Sequence, residues 1–194
     1  MDFKRKVKQI LLLVLGLAIA HFGVTLFIQA DLGADPFNVL IQGIYRSVFQ
    51  AAGIHWSHGA THMLVCFLII IVLLFVDKTY IKIGTLICMF LGGPIIDMFT
   101  VLLGDYINNS LSFAVRVPAL VAGCVILAMG MTIVIKSEAG TGPNDLVAIV
   151  WSDKWHKPFG LIRIVTDFCF VAAGFYLGER LESERLSALL LWDR

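Results

Sequence analysis

The sequence predicts an all-α polytopic membrane protein of about five transmembrane helices and two short broken or re-entrant ones. Three observations predict it: the composition, a series of long apolar runs, and one polar phrase spelled twice between them. Of 194 residues, 59% are hydrophobic and only 15% charged, with a mean hydropathy of +0.88. Domains that face water keep about a quarter of their residues charged, so this chain lacks the polar surface to fold in water. Its length suits a single integral-membrane domain over residues 1–194. A porin-like barrel is excluded, because its shorter segments would alternate apolar and polar positions and these runs do not.

The first run, Ile10–Ile28, follows Lys4, Arg5, Lys6 and Lys8. A basic start before ILLLVLGLAIA resembles a cleaved leader, but apolarity continues past leader length, and a retained first span is expected. Gly59–Val76, Ile81–Leu103, Leu111–Ile135 and Phe159–Gly178 follow, each near the ~20 residues that cross hydrocarbon. Leu186–Trp192 is apolar but too short to span. With the amino terminus inside, ten of the 15 basic residues fall on the inner side. Arg46, Arg116, Arg180, Arg185 and Arg194 fall outside. Excess Lys and Arg mark the cytoplasmic face, so the amino terminus is expected there and the carboxyl terminus outside.

GADPFN at 33–38 and GTGPND at 140–145 are the repeated phrase. An offset of 107 aligns Gly33 with Gly140, Pro36 with Pro143 and Asn38 with Asp145. Gly142 belongs to the second copy. Three spans separate the copies, and an odd number reverses direction across the bilayer. Two units of opposite topology are expected, residues 10–104 and an incomplete 111–178, with a polar tail at 179–194. In each copy glycine permits the turn that ends a helix, and proline opens the next at no hydrogen-bond cost. Asn38 and Asp145 then stand in the first turn, beside free amides. Residues 37–49 and 144–155 are too short to span, and read either as re-entrant half-helices or as interfacial ones after ordinary turns.

DLGADPFNVL, KIGTLICMFLGGPIIDMF and EAGTGPNDLV, in that order between spans, resemble the YitT/YczE family of bacterial inner-membrane proteins. The resemblance covers about residues 10–178. It implies a multi-span helical protein of the plasma membrane, described as a transporter or regulator, with no defined substrate. It matches the family's two turns to Gly33, Pro36 and Asn38 and to Gly140, Thr141, Gly142, Pro143 and Asp145. The family's glycine-rich third span matches Gly84, Thr85, Gly92, Pro94 and Asp97. The chain departs from the pattern after span five, where GFYLG runs into ERLESERLSALLLWDR and the expected counterpart of span three is missing.

Several polar groups interrupt the spans. Asp97 follows Gly92, Gly93 and Pro94, about two-thirds of the way across at roughly 1.5 Å per residue. Glycines there permit close helix approach, and an acid at that depth needs a partner or a cavity. Arg163 and Asp167 share a helix face at four-residue spacing, as a structural pair or a substrate contact. Arg116 reads as an interface anchor or an anion contact. His21, midway along span one, reads as a neutral hydrogen-bond donor across the bundle or as part of a proton relay. His55, His58 and His62 are weak metal candidates without an acidic companion. The four cysteines fall one per span without metal or disulfide spacing, and read as packing residues.

No HExxH, phosphate-cradling loop or nucleophile–base arrangement occurs, so neither an enzyme nor a cofactor or metal is expected. The expected function is a small secondary transporter of an unidentified solute or ion. Its site would lie between the two turns, drawing on Asn38, Asp97, Asp145, Asp167, Arg163 and His21. The alternative is a non-transporting scaffold or regulator that binds an integral-membrane partner or forms a homodimer. The lipid bilayer is the expected surround, and nucleic acid is not an expected partner.

Overall fold

The computed structural model describes residues 3–50, 52–104, 106 and 111–192, with side chains through Gly178. Its helices are α1 (Phe3–Ala30), α2 (Pro36–Ile44), α3 (His58–Asp77), α4 (Ile83–Leu103), α5 (Phe113–Lys136), α6 (Pro143–Trp155) and α7 (Phe159–Trp192). A wide π-helical stretch, Tyr45–Gln50, prolongs α2, and a tight turn, Lys78–Tyr80, prolongs α3. Among the described residues five segments are long and apolar enough to cross a membrane: α1, α3 with its added turn, α4, α5 and Phe159–Gly178 of α7. The five runs of the sequence are these spans. The protein is a multi-pass α-helical membrane protein.

Two boundaries differ from the sequence reading. α1 begins seven residues earlier, at Phe3, because lysine stems continue a helix while their charges reach water. Residues 179–192 prolong α7 as helix where the sequence marks off a tail.

The repeat is visible in the backbone. Asp31 and its 107-offset mate Glu138 have φ of 48° and 58°, and Gly33 and Gly140 have φ of 135° and 143°. The residues that open the next helices, Asp35 and Gly142, have φ, ψ of −62°, 154° and −60°, 152°. One turn conformation has been written twice. The glycines are required, since φ near 140° is closed to residues with a Cβ.

α1 and α5, the first helices of the two units, form the central pair. Gly16 lies against Gly130 and Ile133, and Gly23 against Gly123 and Leu127. The pairing runs in reverse order, so the helices are antiparallel. The glycines are also mates in the repeat, 16 with 123 and 23 with 130. Without a hydrophobic drive between helices in lipid, backbones that touch through small residues supply the dispersion contact that holds spans together. Arg116, at the start of α5, donates to the carbonyls of Ala30 at 2.7 Å and Asp31 at 2.8 Å. It caps the end of α1, a role the sequence reading did not foresee.

α2 packs on α7, where Gly43 meets the backbone of Gly174 and Ser47 Oγ donates to the Leu177 carbonyl at 2.7 Å. α6 packs on α3 through Leu146 and Val150 against Leu73. Each short helix is therefore seated on a span of the other unit. α4 closes the bundle over α1 and α3, with Cys88 against Leu13, Leu17 and Val134 and Gly93 against Gly59.

Candidate functional site

After α1 ends at Ala30, residues 31–35 turn back. Asp35 arrives beside His21 and Val24 in the wall of one cavity. Four extended residues reach about 13 Å, enough to regain that depth. On the opposite side, residues 137–142 return from the end of α5, and Gly142, Pro143, Asn144 and Asp145 line the same cavity with Leu127 and Met131. Both short helices thus begin inside the molecule, having entered from opposite ends of the α1–α5 pair.

The cavity is small, about 60 Å³. Asp35 caps α2: its carboxylate accepts from the Asn38 amide N–H at 3.4 Å and from Asn38 Nδ2 at 2.7 Å. Asn38 is 3% exposed and His62 7%, so both are held by protein rather than by solvent. Asn38 Oδ1 lies 3.4 Å from His58 Nε2. His21 and His62 meet edge to face with ring centres 5.5 Å apart, and Phe37 meets His62 likewise. A Cβ on Gly92 would stand 3.0 Å from atoms of both histidine rings. Glycine at 92 is therefore what gives the imidazoles their space.

The second turn carries the ionic network. Arg163 of α7 donates to Asp145 and pairs with Asp167 one helical turn along, 3.0 Å away. A guanidinium offers five donors in a fixed fork, so it serves two carboxylates at once. Asn144 Nδ2 donates to Asp145 Oδ1 at 3.2 Å. The side chains of Arg163 and Asp145 are 29% and 13% exposed. Burial strengthens their attraction and equally raises the cost of breaking it.

The predicted site residues divide. Asn38, Asp145 and His21 line the cavity. Arg163 and Asp167 reach it through Asp145. His21 hydrogen bonds within its own helix, Nδ1 to the Leu17 carbonyl at 2.8 Å, rather than across the bundle. Asp97 stands apart and does not join the two turns: it accepts from Ser57 Oγ at 2.5 Å and from the Gly59 amide at 2.9 Å. There it satisfies one free amide at the start of α3 and lines a wider vestibule of about 700 Å³.

The three histidines of the 55–62 group separate: His55 is exposed, His58 faces the vestibule and His62 the cavity. Sequence reasoning passed over Asp35, Asn144 and the cavity role of His62. For Asp35 a signal existed, since an acid directly before a helix-opening proline is the ordinary N-cap pattern. For His62 there was none, because its neighbours Phe37 and His21 come from other elements.

The chain is 26% identical over 141 residues to the uncharacterized protein YyaS of Bacillus subtilis strain 168, a match covering 72% of this chain and 66% of that one. It is 27% identical over 143 residues to the uncharacterized membrane protein YczE of the same organism, covering 72% of this chain and 60% of the relative. The chain thus spans less than two-thirds of the length of these curated relatives. No solved structure matches it. The sequence pattern of a family of unknown function, DUF6198, matches residues 7–182, nearly the whole described bundle, and the chain belongs to that family.

Proposed function

We propose that the chain is a small secondary transporter of the YitT/YczE type, moving a small solute or ion across a bacterial plasma membrane. The amino terminus lies in the cytoplasm, and no covalent chemistry is involved. The observation that carries this reading is the meeting of two re-entrant helix starts, from opposite faces, on one cavity lined by buried polar side chains. Broken helices at the interface of inverted repeats are a recurring way to build a transport site, because backbone and side-chain groups there serve a ligand instead of each other. Asn38, in the wall of this cavity, lies 3.4 Å from His58, in the wall of the wider vestibule.

The test needs no knowledge of the solute. Asn144→Cys is placed in a chain whose four native cysteines are serine, and sealed vesicles are treated with a membrane-impermeant thiol reagent on one side or the other. A transporter exposes the position to each side in turn, so both treatments label it. If neither side labels it while the detergent-unfolded chain reacts, the cavity is static and the reading fails. That outcome favours a scaffold, for which the supporting observation is the lipid-facing character of α7: only 11% of its membrane window is buried.

A further inference from the structure

The two copies of the repeated phrase place their charges differently. The 107-offset mate of Asp35 is Gly142, and the mate of Asn38 is Asp145. Each turn therefore brings one carboxylate to the cavity wall, Asp35 from one side and Asp145 from the other. Asp145 has Arg163 as its partner, whereas the residue matching Arg163 in the first unit is Trp56. Asp35 accepts from the Asn38 amide N–H and from Asn38 Nδ2, and it forms no ion pair among the described residues.

The charges around the cavity do not balance. Asp35, Asp145 and Asp167 share a single guanidinium, which leaves two negative charges. The starts of α2 and α6 each add roughly half a positive charge, so about one negative charge stays unanswered. By themselves two helix starts invite an anion, but each already faces its own carboxylate: Asp35 caps α2, and Asp145 stands in the first turn of α6. The amide donors are engaged in the same way, Asn38 Nδ2 by Asp35 and Asn144 Nδ2 by Asp145. Acceptors remain. Asn144 Oδ1 lies 2.7 Å from the position of a Cβ on Gly142, so glycine at 142 leaves that oxygen its place. A carbonyl can only accept, so His21 Nδ1 carries the proton it gives to Leu17, and Nε2 of the neutral ring holds a lone pair. His62, also in the wall, is 7% exposed. Its hydrogen-bonding contact is Nδ1 with Cys66, and its Nε2 has no such partner among the described residues.

We propose that the cavity binds one small monovalent cation, an alkali ion or an ammonium group, with Asp35 as its counter-charge; this rests on the reading of the cavity as the solute site. Its volume of about 60 Å³ suits an ion stripped of most of its water, since one water occupies roughly 30 Å³. A divalent metal fits less well. No three His, Cys, Asp or Glu side chains among the described residues are grouped to hold one, and a double charge overshoots the balance. A carboxylate at this depth is costly without a partner, and the bound cation removes that cost.

Thermal melts of the purified full chain in an uncharged detergent test this. Lithium, sodium, potassium, ammonium and methylammonium chlorides are compared at equal ionic strength with N-methylglucamine chloride, whose cation is too large for the cavity. At least one small cation should raise the melting temperature by about 2 °C or more, increasing with the logarithm of its concentration. Alkali salts acting alone mark an ion site, ammonium salts alone an amine site, and both together a site that selects by charge and size. Exchanging chloride for gluconate should leave the rise intact. Asp35→Asn should abolish it while keeping the helix cap, because Asn caps as well as Asp. Asp97→Asn, in the vestibule wall, should retain it. No rise with any small cation, a rise that follows the anion, or one that survives Asp35→Asn or is lost with Asp97→Asn overturns the proposal. Labelling of Asn144→Cys reads access from the two sides rather than occupancy. A static cavity can bind the cation and a mobile one can carry an anion, so the two readings fail separately.

Discussion

Arg163 is the single residue on which the most charge depends, because it answers Asp145 and Asp167 together. Removing it leaves two carboxylates without their cation in a largely apolar setting. Arg163→Met should cost about 3–5 kcal/mol, the range for breaking a buried pair, read as a fall in melting temperature of the purified protein. Adding Asp145→Asn and Asp167→Asn should recover most of that loss, since the desolvated charges vanish with their partner. If the triple variant melts as low as the single one, the network's role is not electrostatic. Asp97 makes a contrasting case. It ties α3 to α4 through Ser57 and Gly59, so Asp97→Ala should cost about 1–3 kcal/mol as an unsatisfied amide. Because it stands outside the cavity, it should leave side-dependent labelling at Asn144→Cys in place.

Among the elements, the α1–α5 crossing is set by glycine. A Cβ at Gly23 would stand 2.6 Å from the Gly123 carbonyl oxygen and 2.7 Å from the Leu127 nitrogen. Backbone atoms have no rotamer to yield, so the helices themselves must part. Gly23→Ala should destabilise by about 1–3 kcal/mol as an overpacking change, with Gly123→Ala comparable, both read by thermal melts. Gly160→Ala, where a Cβ meets nothing within 4 Å, is the control and should be neutral. The short helices depend on different starts. α2 has a side-chain cap in Asp35, whereas Gly142 gives α6 none. Asp145 in the first turn of α6 instead supplies negative charge where the helix dipole is positive.

For the whole molecule, the antiparallel α1–α5 pair and the matched turns make the two membrane faces near-equivalents, so orientation rests on the basic residues. By the positive-inside rule Lys4–Lys8 are expected in the cytoplasm. Gly53→Cys, in the exposed segment before α3, should then label from outside intact cells, and His156→Cys, after α6, only in inverted vesicles. The reverse pattern would turn the molecule over and place the vestibule on the cytoplasmic side. Burial falls from 50% of the membrane window in α1 to 17% in α5 and 11% in α7, so the second unit is the less covered one.

Hydrophobic runs of membrane length determined the spans, because a helix is the only way such a run can satisfy its own backbone in lipid. The repeated glycine–proline phrase determined the turns, because φ near 140° and a helix-opening proline are local demands that the residues themselves meet. Orders of contact between distant elements were not written locally. That residues 31–35 fold inward rather than lie flat depends on the α1–α5 pair having α2 and α6 to enclose. Asp97 left the predicted site because the start of α3 needed an acceptor, and His62 joined it because Gly92, on another helix, left room for its ring. Packing chose among positions the sequence could only nominate.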